Sequence, residues 1–109
     1  MLSDQEVGDI VSRIVERVRP ERIIVFGSYA KGVATARSDL DLLVVADTDL
    51  PMARRAEAVE PITSRYLTPV DVHIYTGEEV REYGTEPGSF LASVLATGIV
   101  LYESSGPPG

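Results

Sequence analysis

Cysteine is absent, which removes disulfides and thiolate metal sites and is compatible with a reducing compartment. Asparagine is absent too, and Lys31 is the only lysine. Clusters of basic charge are missing: Arg54-Arg55 is the one basic doublet, and the formal net charge is −7. Phosphate backbones need clustered Lys and Arg, so direct nucleic-acid binding is not expected. No apolar run reaches the roughly 20 residues of a membrane span, and no basic-then-apolar leader opens the chain. The expectation is a cytoplasmic protein without membrane association.

What is there suits one globular domain with one modest core: 109 residues, 44% hydrophobic and 25% charged. No repeat or linker divides it. Residues 1–103 are expected to form the domain. Residues 104–109, small and rich in Gly and Pro, are expected to form a disordered tail.

Ser3-Asp4-Gln5-Glu6 fits a capping box. Val7, Ile10, Val11, Ile14, Val15 and Val18 follow with the spacing of one helical stripe, and Pro20 stops it, so residues 4–18 read as a helix over a sheet. Arg22 to Phe26 and Leu40 to Ala46 read as short buried strands. Between them Ser28 and Gly32 suggest a short helix over 28–32, then a loop. Met52, Ala56, Val59, Ile62 and Tyr66 follow helical spacing, with a break expected at Glu60 because Pro61 lies inside the pattern. Val70 to Tyr75 alternates as a third strand. Short helices are expected from Gly77 and from Pro87, the second carrying Phe90, Leu91, Val94 and Leu95 as its apolar stripe. Ile99 to Tyr102 reads as an edge strand. The connection lengths predict strand two antiparallel to strand one, and strand three parallel to strand two through a right-handed crossover. The fold class is therefore α/β (α+β): a small mixed sheet of about four strands flanked by helices.

That topology sends Gly27-Ser28, Asp39, Asp41 and Asp71 to one edge of the sheet. Asp39 and Asp41 are two apart and share a face. Three converging carboxylates repel unless a cation lies among them. Oxygen donors without Cys or clustered His suit Mg²⁺, or Mn²⁺, and two such ions could clamp the attacking and leaving oxygens of a phosphoryl displacement. Gly27-Ser28 before a helix start offers free N–H groups to phosphate, and Lys31 lies one turn on as a point charge. Taken singly these features are common: Asp-x-Asp is usually a turn or strand-edge charge, and a lone Lys is usually solvated. Their joint placement at one edge favours a site. His73 reads as a polar residue lining that edge, and Arg37 and Ser38 as braces of the loop.

Gly-Ser-Tyr-Ala-Lys-Gly over 27–32, Ser-Asp-Leu-Asp-Leu-Leu-Val over 38–44 and Val-Asp-Val over 70–72 together resemble the DNA polymerase β-like nucleotidyltransferases, and most closely their smallest branch, the minimal nucleotidyltransferases. The resemblance runs from the first helix to Tyr102. It implies transfer of a nucleoside monophosphate, AMP from ATP by the nearest analogy, to a hydroxyl with release of pyrophosphate and with two Mg²⁺ ions. It implies Asp39 and Asp41 as ligands of both ions, Asp71 as the third ligand that helps deprotonate the acceptor, and Gly27 and Ser28 as holders of the triphosphate. Relatives in this branch act as antitoxins of helical HEPN partner proteins. No second, substrate-binding domain like that of larger relatives is expected within these residues, so the acceptor is expected to be bound by another chain or at a homo-oligomer interface. Two alternatives stand beside this: an antitoxin that acts by binding alone, and a transferase for a small molecule such as an aminoglycoside.

Overall fold

The computed structural model describes residues 1–104. Helix α1 spans Asp4–Val18, with the predicted capping box: Ser3 Oγ accepts from the Glu6 N–H and the Glu6 carboxylate accepts from the Ser3 N–H. Strand β1 spans Arg22–Phe26 and β2 spans Leu40–Val45. A 3-10 segment, Met52–Val59, gives way at Glu60 to a single helical turn, α2, Glu60–Thr63. The predicted break is thus present, and its cause is Pro61, which fits only in a first turn. Strand β3 spans Val70–Tyr75, α3 spans Gly77–Tyr83, α4 spans Phe90–Thr97 and β4 spans Ile99–Glu103.

The sheet runs β3-β2-β1-β4, with β2 antiparallel to β1, β3 parallel to β2 and β4 antiparallel to β1 on the outer edge. The mixed four-stranded architecture is as expected. One face carries Ile23, Val25, Leu40, Leu42, Val44 and Ile74 against α1, Val59 and Ile62. The other carries Ile24, Leu43 and Val45 against Val80 of α3 and Leu91 and Val94 of α4. Burial on both faces explains why β2 reads as a continuous apolar run after Asp41.

Two expectations require correction. No helix forms over 28–32; the chain makes a series of turns from Gly27 to Gly32. Gly27 and Gly32 both take positive φ (73° and 72°), so the segment turns too tightly to propagate. The last helix begins at Phe90, not Pro87: Ser89 supplies its cap by accepting from the Ala92 N–H, and Gly88 before it has φ 80°.

Ser104 is the first residue of the expected tail. Its N–H donates to the Glu21 carbonyl, so the main chain stays tied one residue past β4. The rest of the tail expectation, 105–109, lies outside the described residues. Among the described residues no helix is long and apolar enough to cross a membrane.

Candidate active site

The geometry rests on two registers. Along the β2–β3 ladder Asp41 stands opposite Asp71, and along the β1–β2 ladder Asp41 stands opposite Phe26. In-register residues on neighbouring strands point to the same face. Asp41 is therefore flanked by Asp71 on one side and by the end of β1 on the other. Asp39 lies two residues upstream, just before β2 begins, and is exposed, as is Asp71. Leu40 fixes this corner: its side chain is fully buried and its N–H donates to the Pro69 carbonyl, which ties the start of β2 to the start of β3.

The three carboxylates feel one another. Partial burial, then the charges of Asp71 and Asp39, push the Asp41 carboxyl above its ordinary value, while His73 acts in the opposite direction. None of the three is held in an ion pair; the salt bridges among the described residues join Arg13–Asp9, Arg54–Glu57 and Arg55–Glu79. The expected convergence is thus present as neighbourhood. Among the described residues, however, no three His, Asp or Glu side chains close into a ready-made cation cage. Like charges without a counter-charge hold apart.

Gly27 closes the site from the β1 side. A Cβ built there would lie 2.7 Å from Asp41 Oδ2, at a φ that side chains rarely adopt. The glycine is required twice over, by backbone conformation and by the carboxylate beside it. In the turn that follows, the N–H groups of Lys31, Gly32 and Val33 donate to the carbonyls of Gly27, Tyr29 and Ser28. The turn is seated by Tyr29, whose hydroxyl accepts from the Leu2 N–H, and by Tyr29 and Ala30 packing on the core. Ser28 is half-buried at the start of this turn and Lys31 is exposed on it. Ser38 does brace the next loop: its Oγ accepts from the Thr35 N–H and its N–H donates to the Thr35 carbonyl.

Two features were not foreseen. Phe26, His73 and Phe90 form a triangle of rings with centroids 5.2 to 5.7 Å apart, and Tyr75 joins it at 6.1 Å from Phe90. The helical stripe marks Phe90 as core, yet the residue is 41% exposed. The second feature is Arg55. Its guanidinium is nearly buried and forks onto both oxygens of Glu79 (2.6 and 3.2 Å) while donating to the Leu50 and Ile74 carbonyls. Nothing in the Arg54-Arg55 doublet distinguishes the buried member.

Residues 7–95 match the model of the nucleotidyltransferase domain family. The chain belongs to that family. Among curated relatives of this nucleotidyltransferase, a Methanocaldococcus jannaschii protein named provisionally as a protein adenylyltransferase is 36% identical over 88 residues, covering 79% of this chain and 82% of its own. A second protein of that organism with the same kind of name is 35% identical over 54 residues, half of this chain and 54% of its own. Among solved structures, a Sulfolobus solfataricus protein described provisionally as a nucleotidyltransferase superposes with a TM-score of 0.62 at 19% identity, covering 89% of this chain and 77% of the other. A toxin–antitoxin structure with AMP-PNP gives a TM-score of 0.62 at 22% identity, covering 90% and 74%. At those identities the two structures speak for the fold. The family match and the 36% relative identify a transferase of nucleotidyl groups, as the Gly-Ser and Asp-x-Asp spacing implies.

Proposed function

We propose that this chain is a divalent-metal-dependent nucleotidyltransferase that moves AMP from ATP to a hydroxyl of a partner protein, acting as the antitoxin of a HEPN-type toxin. The observation that carries the proposal is the register of Asp41 against Asp71, with Gly27 packed against the same carboxylate. The donor set suits a hard cation: carboxylate oxygens, no thiolate, and no cluster of imidazoles. The crowding that raises the Asp41 carboxyl is the electrostatic condition a cation relieves. Asp39, Asp41 and Asp71 would hold Mg²⁺, or Mn²⁺. Bound there, two ions would neutralise phosphate charge and polarise the reacting oxygens.

The chain's own groups have distinct parts. Gly27 lets the triphosphate approach the main chain. Ser28 donates its hydroxyl to the phosphates. Lys31, flexible and exposed, reaches the outer phosphate oxygens. Asp71 accepts the proton of the acceptor hydroxyl as its oxygen bonds to the α-phosphorus. The bond from that phosphorus to the β-phosphate oxygen breaks, and pyrophosphate leaves. Assigning the acceptor to a second protein chain rests on the relatives' protein-adenylyltransferase names. Naming that chain a toxin rests on the relatives' protein-adenylyltransferase names and the toxin–antitoxin neighbour.

The test is transfer of label. The chain is incubated with α-labelled ATP, Mg²⁺ and the product of the neighbouring gene, and that product is weighed by mass spectrometry. A gain of one or more AMP units, absent with Asp39→Ala, supports the proposal. Neutralisation of the partner that survives both Asp39→Ala and Asp41→Ala would instead mark an antitoxin acting by binding alone. Label appearing only on an added aminoglycoside would replace the protein acceptor with a small one.

A further inference from the structure

The proposed transfer chemistry leaves one cluster beside the carboxylates unused. Phe26 is the residue immediately before Gly27 and stands opposite Asp41 across the β1–β2 ladder. His73 lies one pleat past Asp71 on the same face of β3, in register with Leu43 of β2. Because β2 separates β1 from β3, the 5.7 Å approach of these two rings bridges over β2 at the level of Asp41 and Leu43. Phe90, first residue of α4, meets both: edge-on to Phe26 at 5.4 Å and 79°, tilted to His73 at 5.2 Å and 49°. A ring serving only the core would be covered. Phe90 keeps 41% of its surface, and His73 is exposed with no hydrogen bond to its ring nitrogens among the described residues.

We propose that Phe90 and His73 form a stacking platform for the nucleobase of the bound nucleoside triphosphate. The inference rests on the reading of the carboxylates and the Gly27 turn as the triphosphate site. Phe26 and Gly27 are adjacent in the chain, so a triphosphate on the turn and a base on the platform are neighbours by construction. Ser89 caps α4 and Phe26 buttresses the ring edge, so Phe90 is presented in a fixed orientation. Stacking reads the π-face and tolerates any base. The platform therefore predicts weak discrimination between ATP and GTP and weaker binding of the smaller pyrimidines.

The experiment is calorimetric titration of the full chain in Mg²⁺ with two probes, ATP and inorganic tripolyphosphate. Loss of one stacked base corresponds to about 5- to 150-fold in affinity. Phe90→Leu should weaken ATP binding by a factor in that range and leave tripolyphosphate unchanged, and Phe90→Trp should restore ATP binding. His73→Leu should weaken ATP in the same selective way. Thermal unfolding of each variant identifies any that fails to fold; should Phe90→Leu be one, Phe90→Met, which also lacks a ring, carries the same expectation. Equal weakening of both probes would reduce the rings to structural support and overturn the platform. So would unchanged ATP binding in Phe90→Leu, including the case in which the ring serves an acceptor instead. Failure of the underlying reading looks different: the unaltered chain would bind neither probe, or Asp41→Asn would bind ATP with Mg²⁺ as well as the unaltered chain does.

Discussion

Replacing Asp41 by Asn separates what this carboxylate does to the fold from what it does for the chemistry. Asp71 stands in register one strand away, and neighbouring strands run about 4.8 Å apart. Unit charges about 5 Å apart repel by roughly 1 kcal/mol in bulk water and by roughly 3 kcal/mol at an effective dielectric of about 20. Asp71 is exposed, so the lower figure applies, and Asp39 adds a smaller increment. Asp41→Asn keeps the shape and removes the charge. The metal-free chain should gain about 1 kcal/mol and melt roughly 4–8 °C higher. Transfer activity should fall by at least about 100-fold, because a ligand to the catalytic cation is gone. Thermal unfolding is measured with chelator and again with millimolar Mg²⁺. Magnesium should raise the melting temperature of the unaltered chain more than that of the variant. A variant that melts below the unaltered chain in chelator would refute the reasoning, since Asp41 would then be making a stabilising contact rather than enduring repulsion.

Other perturbations follow from the same structure. Gly27→Ala places a methyl 2.7 Å from Asp41 Oδ2 at φ 73°; denaturant titration should show a loss of about 1–2 kcal/mol, and displacement of the carboxylate should lower transfer on the order of 100-fold. Glu79→Gln keeps the capping box at Thr76 but leaves the nearly buried Arg55 without its counter-charge. Since Glu79 is itself about a quarter exposed, the expected loss is about 2 kcal/mol, read as a melting temperature roughly 10 °C lower. The pH dependence of metal-free stability should have two arms of opposite origin. Hydrogen bonding from Arg55 holds the Glu79 carboxyl below its ordinary value, so its contribution is present above the ordinary Glu range and lost as pH falls through the depressed value. Burial and its neighbours hold Asp41 above its ordinary value, so stability falls as pH rises from the ordinary Asp range through the raised value. Asp41→Asn should abolish only the second arm.

Much of the fold was legible because its signals are local. The α1 limits follow from Ser3, Glu6 and the apolar stripe, and the limits of β1 and β3 from branched residues bounded by Pro and Gly. The break at Glu60 follows from Pro61. The failures have local causes too. Ser28 and Gly32 carry the composition of a helix start and stop, but two glycines at positive φ make a tight turn of the segment. Pro87 has the composition of a first helical residue, but Ser89 captures the helix start three residues later.

The residues alone determined which side chains lie at strand ends and which face each would share, because alternation and chain direction are properties of a single strand. They thereby singled out Asp39, Asp41, Asp71 and Gly27. Connection lengths predicted the pairing of the first three strands as well, but the register and the packing of the helices were decided only in three dimensions. The parallel crossover sets Asp41 against Asp71, the β1–β2 register presses Gly27 on the same carboxylate, and the docking of α4 carries Phe90 to Phe26 and His73. Arg55 and Glu79 likewise find each other across 24 residues. Such contacts depend on how two faces pack, and one strand or helix carries no record of its partner.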